Sequence, residues 1–297
     1  MNLVQSTVAR FAGIWGLTAE DQQRQLLTMV EVFYPYNVFA DESGQSRYGS
    51  KAFGVAAYVA SFDRWLQQEK EWCGILEKFR VPLDDNPEHT HPFFHTTDFI
   101  AREKQFKNDW SNTKRDEFME LLTLTASEHT VCGVSCCVIE QEYDHALPKD
   151  IKDQWREPYF FCVWAVLSAL VGLERHFTIT LPKPLWFLFD RKKKAVKFAG
   201  EIFHLMKSVN DPKHVLGEMG FGEMWRTPQL QAADLLVYEM VRRTLDEHHD
   251  PKLPLRKSAE KLARKGSLVF INMNTERLER YVQFVREAQE AQARETE

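Results

Sequence analysis

From Asn37 to Ser61 the chain reads NVFADESGQSRYGSKAFGVAAYVAS. A short apolar run ends on two adjacent acids, a Ser43–Gly44 pair follows, and a second apolar run returns, which predicts a β-hairpin turning at that pair. With Val38 to Ala40 as a central strand, Asp41 projects from the end of a sheet. Downstream, Trp65, Trp72, Ile75, Leu76 and Phe79 recur at helical spacing and predict a helix from about Phe62 to Phe79. The polar stretch VPLDDNPEHTHP ends it, and HPFFHTTDFI reads as a short strand or turn. Phe118, Leu121, Leu122 and Thr125 place a further helix over Lys114 to Ser127.

TVCGVSCCVIE is a strand pattern. The run from Tyr159 to Leu173 is apolar nearly all round and predicts a buried helix from Glu157 to Glu174, short of the roughly 20 residues that span a bilayer. PLWFLFDRKKKAVKFAGEIFHLMKSV then reads as strand, acid, basic helix start and amphipathic helix, a unit of α/β proteins. HVLGEMGFGEMW suggests an edge strand interrupted by glycines. Thr227 as cap and Pro228 at the first helical position open the helix QLQAADLLVYEMVRRTL.

Before the hairpin, Thr18 caps a predicted helix with Glu20 and Asp21 in its first turn. After Asp246 come a linker-like EHHDPKLPLRK, an apolar LVFI run and the amphipathic TERLERYVQFVREAQ. The pattern divides the chain into an N-terminal helical arm (1–36), an α/β core (37–245) and a C-terminal tail with a helix (246–297). Either arm is a plausible homodimer contact.

The 297 residues are 44% hydrophobic and 27% charged, the composition of a globular protein able to bury a sizeable core. A net charge of −5 argues against a protein held to nucleic acid by bulk charge and leaves room for a local basic groove. Five cysteines, at 73, 132, 136, 137 and 162, form no zinc pattern; free thiols point to a reducing, cytoplasmic compartment. The N-terminus carries Arg10 within its apolar stretch and lacks a secretory cleavage pattern.

Three acids stand out against this apolar background. Asp41 ends NVFA, Asp190 ends LWFLF, and Asp234 shares a helix face with Leu230, Val237, Tyr238 and Val241. Buried acids need a partner or a cation. Each has a plainer reading: an Asx turn before Gly44 for Asp41, a helix cap for Asp190, a bond to Gln231 or a buried arginine for Asp234. Two strand ends and one helix face in an α/β layout can also meet at one edge of a sheet, and taken together the three favour a site.

FADESG, LFDRKK and LQAADLL resemble the signature blocks of the family catalogued as domain-of-unknown-function family 3800, whose fold is ribonuclease H-like. The resemblance spans about Val38 to Val241. It implies a mixed sheet flanked by helices, with carboxylates gathered around divalent metal, Mg²⁺ or Mn²⁺. On that resemblance Asp41, Asp190 and Asp234 are the catalytic, metal-binding aspartates. Glu42 belongs to the same block but alternates to the opposite face of its strand. A fourth acid has no clear counterpart, Glu157 being a guess.

Arg191, Lys192, Lys193 and Lys194 follow Asp190 at a predicted helix N-terminus and are candidates for phosphate contact. Arg47, Lys51 and Gln231 are further candidates, while Arg242 and Arg243 end a helix where cations are expected anyway. His89, His91 and His95 lack the pattern of a transition-metal site; His95 and Asp98, in FFHTTDF, resemble a further block of that family, and the resemblance implies that they line the cleft. The expected function is divalent-metal-dependent cleavage of nucleic acid by a carboxylate cluster, with no membrane partner. The alternative is a non-catalytic nucleic-acid or protein binding module on the same fold.

Overall fold

The computed structural model describes residues 36–107, 110–155, 157–177, 179–191, 195–209, 211, 213–265 and 267–296. The expected N-terminal helix and Lys192, Lys193 and Lys194 lie outside them. In chain order the elements are β1 (Tyr36–Arg47), β2 (Ser50–Ser61), α1 (Phe62–Lys78), α2 (Thr96–Ala101), α3 (Asn112–Glu128), β3 (Cys132–Ile139), α4 (Glu140–Ala146), α5 (Lys149–Trp155) and α6 (Pro158–Phe177). There follow β4 (Leu185–Asp190), α7 (Ala195–Val209), β5 (Leu216–Gly222), α8 (Pro228–His249), α9 (Lys257–Lys265), β6 (Ser267–Asn272) and α10 (Thr275–Thr296). Short 3-10 turns cover Lys104–Phe106 and Met224–Arg226.

The strands form one mixed six-stranded sheet in the order β5-β4-β1-β2-β3-β6. β1 pairs antiparallel with β2 and parallel with β4; β2 and β3 are antiparallel, and β3–β6 and β4–β5 are parallel. The chain is therefore an α/β protein with helices on both faces of a mixed sheet. The expected division after residue 245 falls inside α8, and the segment beyond it supplies β6 to the same sheet.

The hairpin forms, but its turn is not at Ser43–Gly44. β1 continues six residues past Asp41, and the reversal is a two-residue turn at Tyr48 and Gly49, between the paired Arg47 and Ser50. Both turn residues have positive φ (53° and 77°), as the tight turn that matches strand twist requires. Asp41 thus sits inside a long hairpin strand. It is nevertheless terminal with respect to β4, because that pairing runs only from Asn37↔Trp186 to Ala40↔Phe189.

Alternation sorts the strand residues between two cores. Val38, Ala40, Phe187 and Phe189 join α6 and α7 in one cluster; Phe39, Leu188, Ala56 and Tyr58 join α1, α3, α8 and α9 in the other. Within α6, 18 residues from Pro158 are apolar enough to cross a membrane by length and composition, more than the expected run, and half of them are buried in the fold. α8 lies across β1, β2 and β3 on the second face. Its approach is close: a Cβ on Gly54 would stand 2.5 Å from Val241 Cγ2 and 2.8 Å from Cys137 Sγ.

Two local expectations are corrected. Thr96–Ala101 is a helical turn and neither strand nor simple reversal, closed by Arg102 in the left-handed conformation (φ 58°). Thr227 occupies the cap position of α8, but its hydroxyl makes no capping bond; Pro228 alone of the expected start signals operates.

Candidate active site

Register decides which acids can meet. Asp41 pairs with Ala56 and alternates with Phe39, so its side chain belongs to the face that α8 covers. The β1–β4 pairing ends at Ala40↔Phe189, and Asp41 and Asp190 are the next residue on each strand. Asp190 alternates with Leu188 and shares that face. α8 presents Asp234 to it, between Leu230, which packs at Gly222 beside Asp190, and Val241, which packs at Gly54. All three aspartates are buried, at 1%, 8% and 4% exposure.

α2 supplies the fourth side. The Thr96 amide donates to Asp234 Oδ2 (2.7 Å), and His95 Nε2 stands 4.0 Å from Asp234 Oδ1. His95 Nδ1 bonds Asp98 Oδ2 at 2.8 Å, and Lys104 Nζ reaches the same oxygen at 2.9 Å. The Glu42 amide donates to Asp41 Oδ1 (2.7 Å). Burial by itself lowers the pKa of His95, but the bond to Asp98 and the charges of Asp234, Asp98 and Asp41 outweigh it, and the net shift is upward. Burial raises that of Asp98, while His95 and Lys104 together pull it below the usual aspartate range.

Glu42 goes to the other face, as its strand position requires. It pairs with Val55, and Tyr159 at the start of α6 bonds it; burial, then the charges of Glu42 and Asp41, drive the Tyr159 phenol well above its ordinary pKa. Glu157, two residues earlier, is exposed.

The basic candidates scatter. Arg191, exposed beside Asp190, donates to the Phe221 carbonyl (3.2 Å) and faces Glu223 at 3.5 Å. Arg47 is at the hairpin tip, roughly 20 Å along the strand from Asp41, and binds Asp246 at 2.9 Å. Lys51 pairs with Glu140, Arg242 with Asp246 and Arg243 with Glu247. These contacts tie the hairpin to α4 and close the far end of α8. Gln231 does not open toward the cleft: its Oε1 accepts from Trp72 Nε1 (2.8 Å) and the Phe94 amide (2.9 Å), and its Nε2 donates to the Met224 carbonyl (3.0 Å). It is the buried peg that fixes the His95 loop and the Met224–Arg226 turn to α8. The histidines are separate, His89 bonding Asp84 (2.8 Å) and His91 being exposed.

Thr96 and Lys104 join the site without a sequence signal. The Thr96 backbone amide carries no side-chain signature, and Lys104, six residues past Asp98, sits in a charged stretch with nothing to single it out. Carboxylate oxygens are the donors that Mg²⁺ and Mn²⁺ prefer, so the donor type suits such a cation. Among the described residues, however, no group of three or more His, Cys, Asp or Glu side chains is placed to hold a metal ion. Comparison with known proteins finds no matching family model, no matching curated protein and no matching solved structure.

Proposed function

We propose that this protein is a divalent-metal-dependent phosphodiesterase acting on nucleic acid, on a ribonuclease H-like core. One observation carries the reading: Asp41 and Asp190 each lie one residue past the last β1–β4 pair, on the sheet face crossed by the helix that bears Asp234, with His95 Nε2 4.0 Å from Asp234 Oδ1. The mixed sheet, with β1 antiparallel to β2, parallel to β4 and helices on both faces, supports the core that the sequence resemblance implies. In this reading Asp41, Asp190 and Asp234 would be the residues to hold Mg²⁺ or Mn²⁺, which would supply an activated water and neutralise phosphate charge. The protein's own groups orient: the Thr96 amide fixes the rotamer of Asp234, Asp98 fixes the ring of His95, and Arg191 stands at the rim for a phosphate.

A metal titration by thermal melting, paired with cleavage of labelled DNA and RNA strands, tests this. Mg²⁺ or Mn²⁺ raises the melting temperature of the wild type, and Asp41→Asn, Asp190→Asn and Asp234→Asn each remove that gain together with cleavage. Cleavage that survives all three substitutions ends the hydrolase reading. The second reading, a non-catalytic binding module, is favoured by the lack of a three-ligand grouping among the described residues. It expects the three variants to bind nucleic acid or a protein partner as the wild type does.

A further inference from the structure

On the turn between β5 and α8 stands a cluster of planar groups that the hydrolytic chemistry does not use. Trp225 lies three residues past Gly222, the strand partner of Asp190. Its turn is pinned by Gln231, which on its other side holds the Phe94 amide next to His95. The indole therefore belongs to the turn that joins Gly222, the partner of Asp190, to the helix bearing Asp234. The His89 ring lies 5.0 Å from it at 35° and edges onto Phe93 at 5.1 Å. His89 is itself held by Asp84 (2.8 Å) and Asn86 (3.1 Å). The exposed Arg226 lays its guanidinium 4.2 Å from the indole centroid.

We propose that Trp225 and Arg226 form a stacking subsite for an unpaired nucleobase, so that the strand entering the acidic site is single-stranded nucleic acid. This rests on the phosphodiesterase reading for what happens to the phosphate next to that base. Aromatic rings and arginine planes are the surfaces on which single strands stack, because every base has a π-face while a paired base has both faces occupied by its neighbours. The ring is already immobilised by His89 and the Gln231 anchor, so little ordering is lost on binding. Arg226, exposed, lies over the indole and gives up that contact to an incoming base, then covers the far side of the base or reaches its phosphate. The adjacent Arg191 gives the backbone a second cation on the same rim.

The test is fluorescence anisotropy on the full chain without added metal, using labelled oligothymidylate, oligouridylate, an abasic strand of equal length and a blunt duplex. The wild type binds the base-bearing strands more tightly than the abasic strand or the duplex. Trp225→Ala loses roughly tenfold or more of that affinity, and Trp225→Phe keeps most of it, which guards against a folding defect. Arg226→Ala, on the surface, weakens base-bearing strands more than the abasic one. Wild-type binding that ignores the bases, or Trp225→Ala binding with wild-type affinity, overturns the proposal. Asp41→Asn separates the two ideas, since it removes cleavage and leaves base-dependent binding in place. If cleavage depends on Asp41 while Trp225 is indifferent, the stacking subsite fails and the hydrolase stands; if Trp225 governs binding and no aspartate governs cleavage, the reverse holds.

Discussion

The Thr96 amide donates to the Asp234 carboxylate across 2.7 Å, joining the first turn of α2 to the middle of α8. Both groups are buried, so the bond is held away from competing water. Asp234→Ala leaves that amide without its acceptor and is expected to cost about 1–3 kcal/mol in urea denaturation. Asp234→Asn keeps an oxygen in place and is expected to cost less. Equal losses in the two variants would mean that the carboxylate charge, and not the bond, steadies α2.

Gln231 serves two buried donors at once, the Trp72 indole and the Phe94 amide. Replacing it with leucine strands both, for an expected loss of about 2–5 kcal/mol. In a Trp72→Phe background one donor is already gone, and the same substitution should cost less. A strictly additive double mutant would show that the two groups do not share the acceptor.

Glu239 gives the pH dependence. It is 1% exposed, and burial raises its pKa above the ordinary glutamate range despite the Arg256 guanidinium 3.2 Å away. The folded state then holds the proton more tightly than the unfolded chain does. Its contribution is fully present below the ordinary glutamate pKa and is lost as pH rises through the raised folded value. The stability of the wild type minus that of Glu239→Gln should therefore fall with rising pH across that window in paired urea melts. A difference that rises with pH would reverse the sign of the shift.

At Gly54 the sheet backbone packs closely under α8. An added methyl would meet Val241 and Cys137 below 3 Å and the Cys136 carbonyl at 3.2 Å. Gly54→Ala is expected to destabilise by about 1–3 kcal/mol through overpacking, read as a lower urea midpoint. Val241→Ala in the same chain should return part of the loss by making room.

Much of the architecture was legible in the sequence because the helices and strands carry their own periodicity. The stripe from Trp65 to Phe79, the apolar run in α6 and the strand-to-helix unit at Asp190 formed near their expected positions. The hairpin turn was misplaced because Ser43–Gly44 has turn composition, whereas the register is set by two positive-φ residues at Tyr48–Gly49, of which only the glycine advertises itself. Arg47 looked like a phosphate ligand on charge alone. Its partner Asp246 is far along the chain, and no local pattern announces such a pair.

What the sequence determined by itself is the list of acids and the face each one takes, since a period of two or 3.6 settles whether a residue points inward once its element is given. That is why Asp41 and Glu42 part company, and why Asp234 turns toward the sheet. Which acids become neighbours was decided only by the tertiary structure. Strand order puts β4 beside β1, the pairing stops at Ala40↔Phe189, and α8 crosses that edge with α2 against it. Contacts between residues more than a hundred positions apart depend on how whole elements pack, and that packing is a property of the folded sheet and not of any segment within it.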